Sequence, residues 1–158
     1  MLKVLLYSLN DFHKIIRIMS DPILFEASMT DEDIELNNQG RWMLDTNIHY
    51  LGLEKDGECI GIVRFSQLTS ITIDYHWHLL PQYWGTSLSD EFVKLVDEWF
   101  KENTSIHKVV IQSPQVCTHV YKAAIRNGFS VEGVLTGGIL WRGKVQDLIL
   151  MSRFIKRI

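Results

Sequence analysis

Residues 69–101, TSITIDYHWHLLPQYWGTSLSDEFVKLVDEWFK, constrain the fold of this chain more than any other stretch. Ile71, Ile73, Tyr75, Trp77 and Leu79 alternate with Thr72, Asp74, His76 and His78, the period-two pattern of a strand. Leu88, Phe92, Leu95, Val96 and Trp99 then fall on one stripe of a helix. A short turn led by Pro81 and carrying Gly85 joins the two. A turn that opens a helix presents unbonded backbone N–H groups at the positive end of the helix dipole. That arrangement seats phosphate or pyrophosphate, here at Gly85, Thr86, Ser87, Leu88 and Ser89. Ser and Thr are also ordinary helix caps, so the turn alone does not decide between the two roles.

The rest of the chain supplies partners for this unit. KVLLYS (3–8) reads as a first strand, and Asn10 as the cap of a helix burying Phe12, Ile15, Ile16 and Met19. Asp21-Pro22 ends that helix. Residues 23–47 are less regular, with a short helix expected from Thr30. HYLGLEK and ECIGIVRF flank Asp56-Gly57, a two-residue hairpin signal. HKVVIQS is a further strand, and residues 115–127 a further helix stopped by Asn127-Gly128. Two last strands, around Phe129–Leu135 and Val145–Phe154, meet at a Gly-containing turn. The order predicts an α+β domain over residues 1–158. A mixed sheet of about six to seven strands is flanked by three to four helices, with a central strand–helix–strand crossover.

Composition narrows the function. A net charge of −3 does not suit a general nucleic-acid binder. Residues 1–60 carry 11 Asp/Glu against 5 Lys/Arg, and residues 61–158 carry 8 against 11. That asymmetry suits a cationic substrate and an anionic cofactor, as well as plain surface charge. Two cysteines, Cys59 and Cys117, make no disulfide framework or metal-type spacing, which fits a reducing, cytoplasmic setting. No apolar run approaches the ~20 residues of a membrane span.

With that element order in place, the chain resembles the GCN5-related N-acetyltransferase superfamily. LLPQYWGTSLSDEFVKLVDEWF is similar to the family's Pro-led Arg-Gly-x-Gly-x-Gly/Ala turn and helix. CTHVYKAAIRNGFSVEGVL resembles its Asn-x-x-Ala…Gly-Phe-x-x-Glu-Gly segment, and WRGKVQDLILMS its last hairpin. HxHLLP also resembles small acetyltransferase-like proteins of bacteriophages. The resemblance implies acetyl-CoA as co-substrate, an amine acceptor, direct attack of the amine on the thioester, and a homodimer as one expected assembly. It further implies that backbone at Leu79 and Leu80 pairs with the pantetheine arm. The sequence departs from the pattern in several places. Trp84 stands where the family has Arg, while Ser87 and Ser89 replace small residues. An alternative register reads Gln82-x-x-Gly85-x-Ser87. Cys117 falls at the usual Asn, and Ala124 at the Tyr that protonates the leaving thiolate. Tyr121, one turn earlier, is then the candidate acid.

Asp74, His76 and His78 share one strand face. Transfer to an amine requires loss of a proton, and a carboxylate or imidazole beside the cleft can take it. The same face also arises from hydrogen bonding to loops, or as an Asp-x-His-x-His metal site. Trp84 can stack on the adenine or cover the turn. Cys117 at a helix start can have a lowered pKa or be a small buried residue. Two other classes of function stay open on these residues: a non-catalytic binding protein on the same fold, and a strand-based metal protein.

Overall fold

The computed structural model describes residues 1–28, 31 and 45–156. Strand β1 (Leu2–Leu6) leads through a 3-10 turn (Leu9–Asp11) into α1 (Phe12–Met19) and α2 (Pro22–Ser28). Then come β2 (Ile48–Lys55), β3 (Glu58–Gln67) and β4 (Thr72–Leu79), a 3-10 turn at Pro81–Tyr83, and α3 (Ser87–Asn103). The chain closes with β5 (Lys108–Pro114), α4 (Thr118–Arg126), β6 (Ser130–Trp141) and β7 (Lys144–Phe154). The strands form a single seven-stranded mixed sheet in the order β1-β2-β3-β4-β5-β7-β6. Only β4 and β5 run parallel, because a helix, α3, crosses between them. The expected helix from Thr30 lies outside the described residues, Asp31 excepted.

Local chemistry explains most boundaries. Asp56 and Gly57 turn β2 into β3 with φ of 51° and 83°, the two positive angles such a hairpin needs. Asn10 is not the cap expected of it. The Ser8 hydroxyl accepts from the Asn10 amide at 3.3 Å, and the Asp11 carboxylate accepts from the Ser8 amide at 3.0 Å, a capping box that starts two residues earlier. Asp21-Pro22 ends one helix and starts another. The Asp21 carboxylate accepts from the amides of Ile23 and Leu24, and Pro22 takes the first helical position, where its missing N–H costs nothing. Gly128, at φ 85°, closes α4 in a Schellman arrangement, with the Phe129 amide donating to the Ala124 carbonyl and that of Gly128 to Ile125.

The last hairpin has the expected Gly-containing turn, but its first strand runs further than expected. β6 continues to Trp141, with a register shift between Leu135 and Ile139, and the turn falls at Arg142-Gly143. Asp147 absorbs the irregularity by accepting from the Gly137 amide at 2.8 Å.

The core centres on Phe92, Val96 and Phe100 of α3, all fully buried, each worth about 1.5–3 kcal/mol in burial. Leu88, Leu95 and Trp99 flank that stripe and stay partly exposed. Phe65 of β3 meets Phe100 edge-on at 5.0 Å. Helices α1 and α2 pack against β3 and β4. Across the sheet, Arg153 of β7 grips Asp97 of α3 with two parallel bonds of 2.6 and 2.9 Å and lies over the Phe129 ring. This clamp fixes α3, and with it the turn that precedes α3.

Candidate active site

The sheet opens where the parallel pair ends. Pairing between β4 and β5 stops at Asp74–Val110, yet β4 runs on to Leu79 and β5 to Pro114. The two strands splay apart around a cleft of about 690 Å³. Register fixes what the splay exposes. The Leu80 amide donates to the Ile60 carbonyl at 2.9 Å, so Gly61 and Leu79 are a pair that exchanges no ladder bonds. The N–H and C=O of Leu79 therefore point away from β3 and into the splay, as do those of Trp77 two residues earlier. An extended amide ligand laid in the cleft meets a strand edge ready to pair with it.

At the mouth of the cleft stands the turn before α3. Gly85 has φ 66° and open space around the position of a Cβ, so its backbone, not crowding, calls for glycine. Thr86 is the N-cap residue, but its side chain makes no capping bond. Its hydroxyl instead donates to the Tyr83 carbonyl at 2.7 Å, and the Ser89 hydroxyl donates to the Thr86 carbonyl at 2.9 Å. The hydroxyls brace the turn and leave the helix start without a side-chain cap, as an anion seat requires. Gly85 and Ser89 line the cleft, while Thr86 and Ser87 are exposed at its rim. Leu80 is buried behind it. Trp84 also lines the cleft, 41% exposed, and its indole N–H donates to the Leu79 carbonyl at 2.6 Å.

His76 and His78 line the cleft from β4. His78 is almost fully buried, and His76 is partly open. Asp74 sits behind His76, with its carboxylate 3.2 Å from His76 Nε2. A carboxylate so placed orients the imidazole. Among the described residues, no three His, Cys, Asp or Glu side chains converge as a metal site.

Helix α4 forms the facing wall. Cys117 lines the cleft at the helix start, but burial pushes its thiol up rather than down, against the activated thiolate that a helix start suggested. Ala124 is buried in the wall, and Tyr121 is not brought into the cleft. Thr118, Tyr121 and Ile125 form the outward stripe of α4 at i, i+3 and i+7, and all three are exposed. The inward residues include His119, Lys122 and Arg126, which the sequence reading did not single out. Their spacing of three and four was a legible signal. Lys122 and Arg126 give the cleft lining positive charge, and no Asp or Glu is among the described lining residues.

The comparisons agree with this geometry. An Acetyltransferase (GNAT) domain family profile matches residues 3–130. No curated protein sequence matches the chain. Solved structures share the fold at low identity. One is a spermidine N-acetyltransferase chimera from Vibrio cholerae and hSSAT, at TM-score 0.78 and 15% identity, covering 98% of this chain and 95% of that one. A second is the spermidine N-acetyltransferase of Vibrio cholerae in complex with CoA and spermine, at 0.73 and 14%, covering 97% and 95%. A third is a GNAT-family acetyltransferase of Streptococcus pneumoniae, at 0.71 and 18%, covering 98% and 99%. The bacteriophage branch gains no support from them. With the profile spanning most of its length, the chain belongs to the GNAT acetyltransferase family.

Proposed function

We propose that this protein transfers an acyl group, acetyl in the first instance, from coenzyme A to an amine. The splay of β4 from β5 carries the reading, because there ladder groups of β4 face an open cleft. The pantetheine arm pairs with the β4 edge at Leu79; Leu80, expected to share that role, has its amide taken by the Ile60 carbonyl and its carbonyl by the Tyr83 amide. The pyrophosphate sits on the backbone of Gly85, Thr86, Ser87, Leu88 and Ser89, with Lys122 and Arg126 adding charge. Cys117 contributes wall. The amine nitrogen attacks the thioester carbonyl, whose oxygen gains charge and is met by backbone N–H of β4. His76, held by Asp74, takes the amine's proton, and His78 is the second candidate. The thiolate departs without a tyrosine in the Ala124 position, and Tyr121 faces away from it.

Spermidine acetyltransferases among the structural relatives make polyamines worth screening, yet the described cleft lining offers a polycation no carboxylate. Amino acids and protein N-termini belong in the same screen. Calorimetric titration with acetyl-CoA and CoA tests the reading directly. Micromolar binding is expected, followed by thiol release with at least one acceptor. Absence of binding up to millimolar ligand overturns it in favour of a non-catalytic role. Val131, Val134, Leu135 and Leu140 are exposed on the outermost strand, β6, and support a homodimer. A sedimentation coefficient that stays monomeric at every concentration removes that part.

A further inference from the structure

The splay leaves one ladder acceptor already taken. The Leu79 carbonyl points into the cleft, and the donor it holds is not a ligand but the Trp84 indole, five residues on in the chain. The bond is short at 2.6 Å, and the ring stands 41% exposed at the cleft mouth. The Trp84 backbone is held separately from its ring. Its amide donates to the Pro81 carbonyl at 3.1 Å, while Gly85 beside it has open space around it. The ring can therefore swing without unfolding the turn.

We propose that Trp84 is a built-in stand-in for the cofactor's amide. In the empty protein its N–H satisfies the β4 acceptor that an amide of the pantetheine arm claims on loading, and the indole moves outward when the cofactor pairs with the strand. The proposal rests on the acyl-CoA reading above and adds a competition to it. Two donors, one internal and one from the ligand, share one carbonyl. The observed affinity is then the intrinsic affinity reduced by the fraction of molecules with the ring swung out. A side-chain bond of ordinary strength sets that reduction at about 3- to 10-fold. The competition also discriminates. A ligand without an amide to offer gains nothing by displacing the ring.

The test is Trp84→Phe, which keeps a ring and removes the donor. The probes, titrated into wild type and variant, are CoA and adenosine 3′,5′-bisphosphate, which keeps two of CoA's three phosphates and has no amide arm. The expected result is CoA binding about 3- to 10-fold tighter in the variant, with the bisphosphate unchanged. In the wild type, the Trp84 indole ¹H–¹⁵N resonance is expected to be protected from solvent exchange when empty and to lose that protection with CoA. Equal or weaker CoA binding in Trp84→Phe, or an indole still protected with CoA bound, overturns the stand-in alone. CoA binding by neither protein overturns the acyl-CoA reading and takes the stand-in with it.

Discussion

Strand β4 has two edges, and they are built differently. Along β3 it is zipped from Gly61–Leu79 to Gln67–Ile73 without a break. Along β5 it is joined only from Thr72–Lys108 to Asp74–Val110. The short seam does not come from a poor strand. β5 pairs with β7 over its whole length, from Lys108–Phe154 to Pro114–Leu148. Two well-braced halves of the sheet diverge, so the ladder groups in the opening keep fixed directions without being consumed by a neighbouring strand. That is preorganisation: the cost of aiming those dipoles is met in folding rather than at each turnover. Tyr75 and Phe129 stack at 6.2 Å among the cleft-lining residues, and Tyr75 and Trp77 meet edge-on at 6.0 Å.

The comparison predicts that the open edge can be blocked without loosening the closed one. Gly85→Glu places a like charge in the anion seat, where such juxtapositions cost several kcal/mol. Calorimetry is expected to show CoA affinity lower by at least about 100-fold. The variant's strain at a positive φ is about 1–2 kcal/mol, read as a fall of about 3–6 °C in Tm. Gly85→Ala carries the strain without the charge, so it should match that fall in Tm and keep most of the affinity. Unchanged CoA affinity in Gly85→Glu would place the cofactor elsewhere.

The closed parts of the molecule were the legible ones. Period-two and period-three-to-four patterns, Asp56-Gly57 and Asn127-Gly128 are local signals, and local rules wrote them into the chain. The helix start at Gly85 was legible for the same reason. The splay was not, because it depends on how far two strands distant in sequence stay paired. The bond from Trp84 to Leu79 was hidden too, since only a folded turn brings the indole back over the strand. The α4 face was misread through one offset. Tyr121 lies a turn before Ala124, but the cleft wall takes the stripe of His119, Lys122, Ala123 and Arg126. The reach of β6 beyond Leu135 was not legible, because Asp147 lets the strand run through Gly137-Gly138.

Within the open half, His76→Ala separates binding from chemistry. Loss of a general base is expected to lower kcat about 100-fold, with CoA affinity held within about twofold, since the His76 backbone pairs with Arg64 of β3 and not with the open edge. Asp74→Asn keeps the shape and removes the charge behind the imidazole, and about a tenfold loss in kcat is expected. The readout is steady-state kinetics with whichever acceptor the screen yields. A full-rate His76→Ala enzyme moves the base assignment to His78.

The smallest effect should come from the closed half, and it checks that the halves are independent. Tyr7 lies flat against Gly52, where a Cβ would collide with its ring at about 2 Å. Its hydroxyl donates to Glu54 at 2.5 Å, and Lys14 reaches the same carboxylate oxygen at 3.1 Å while lying 5.2 Å from the Tyr7 ring centroid. Burial pushes the Tyr7 hydroxyl well above its ordinary range and raises the Cys59 thiol beside it, so both stay protonated and the node stays neutral apart from the Lys14–Glu54 pair. Tyr7→Phe removes one hydrogen bond to a carboxylate that keeps its other partner. A loss of about 1–2 kcal/mol in denaturant unfolding is expected. CoA affinity should not change, because β1 is separated from the cleft by β2 and β3. A parallel loss of CoA affinity would show that the two seams of β4 communicate, and that the opening is tuned from the far edge of the sheet.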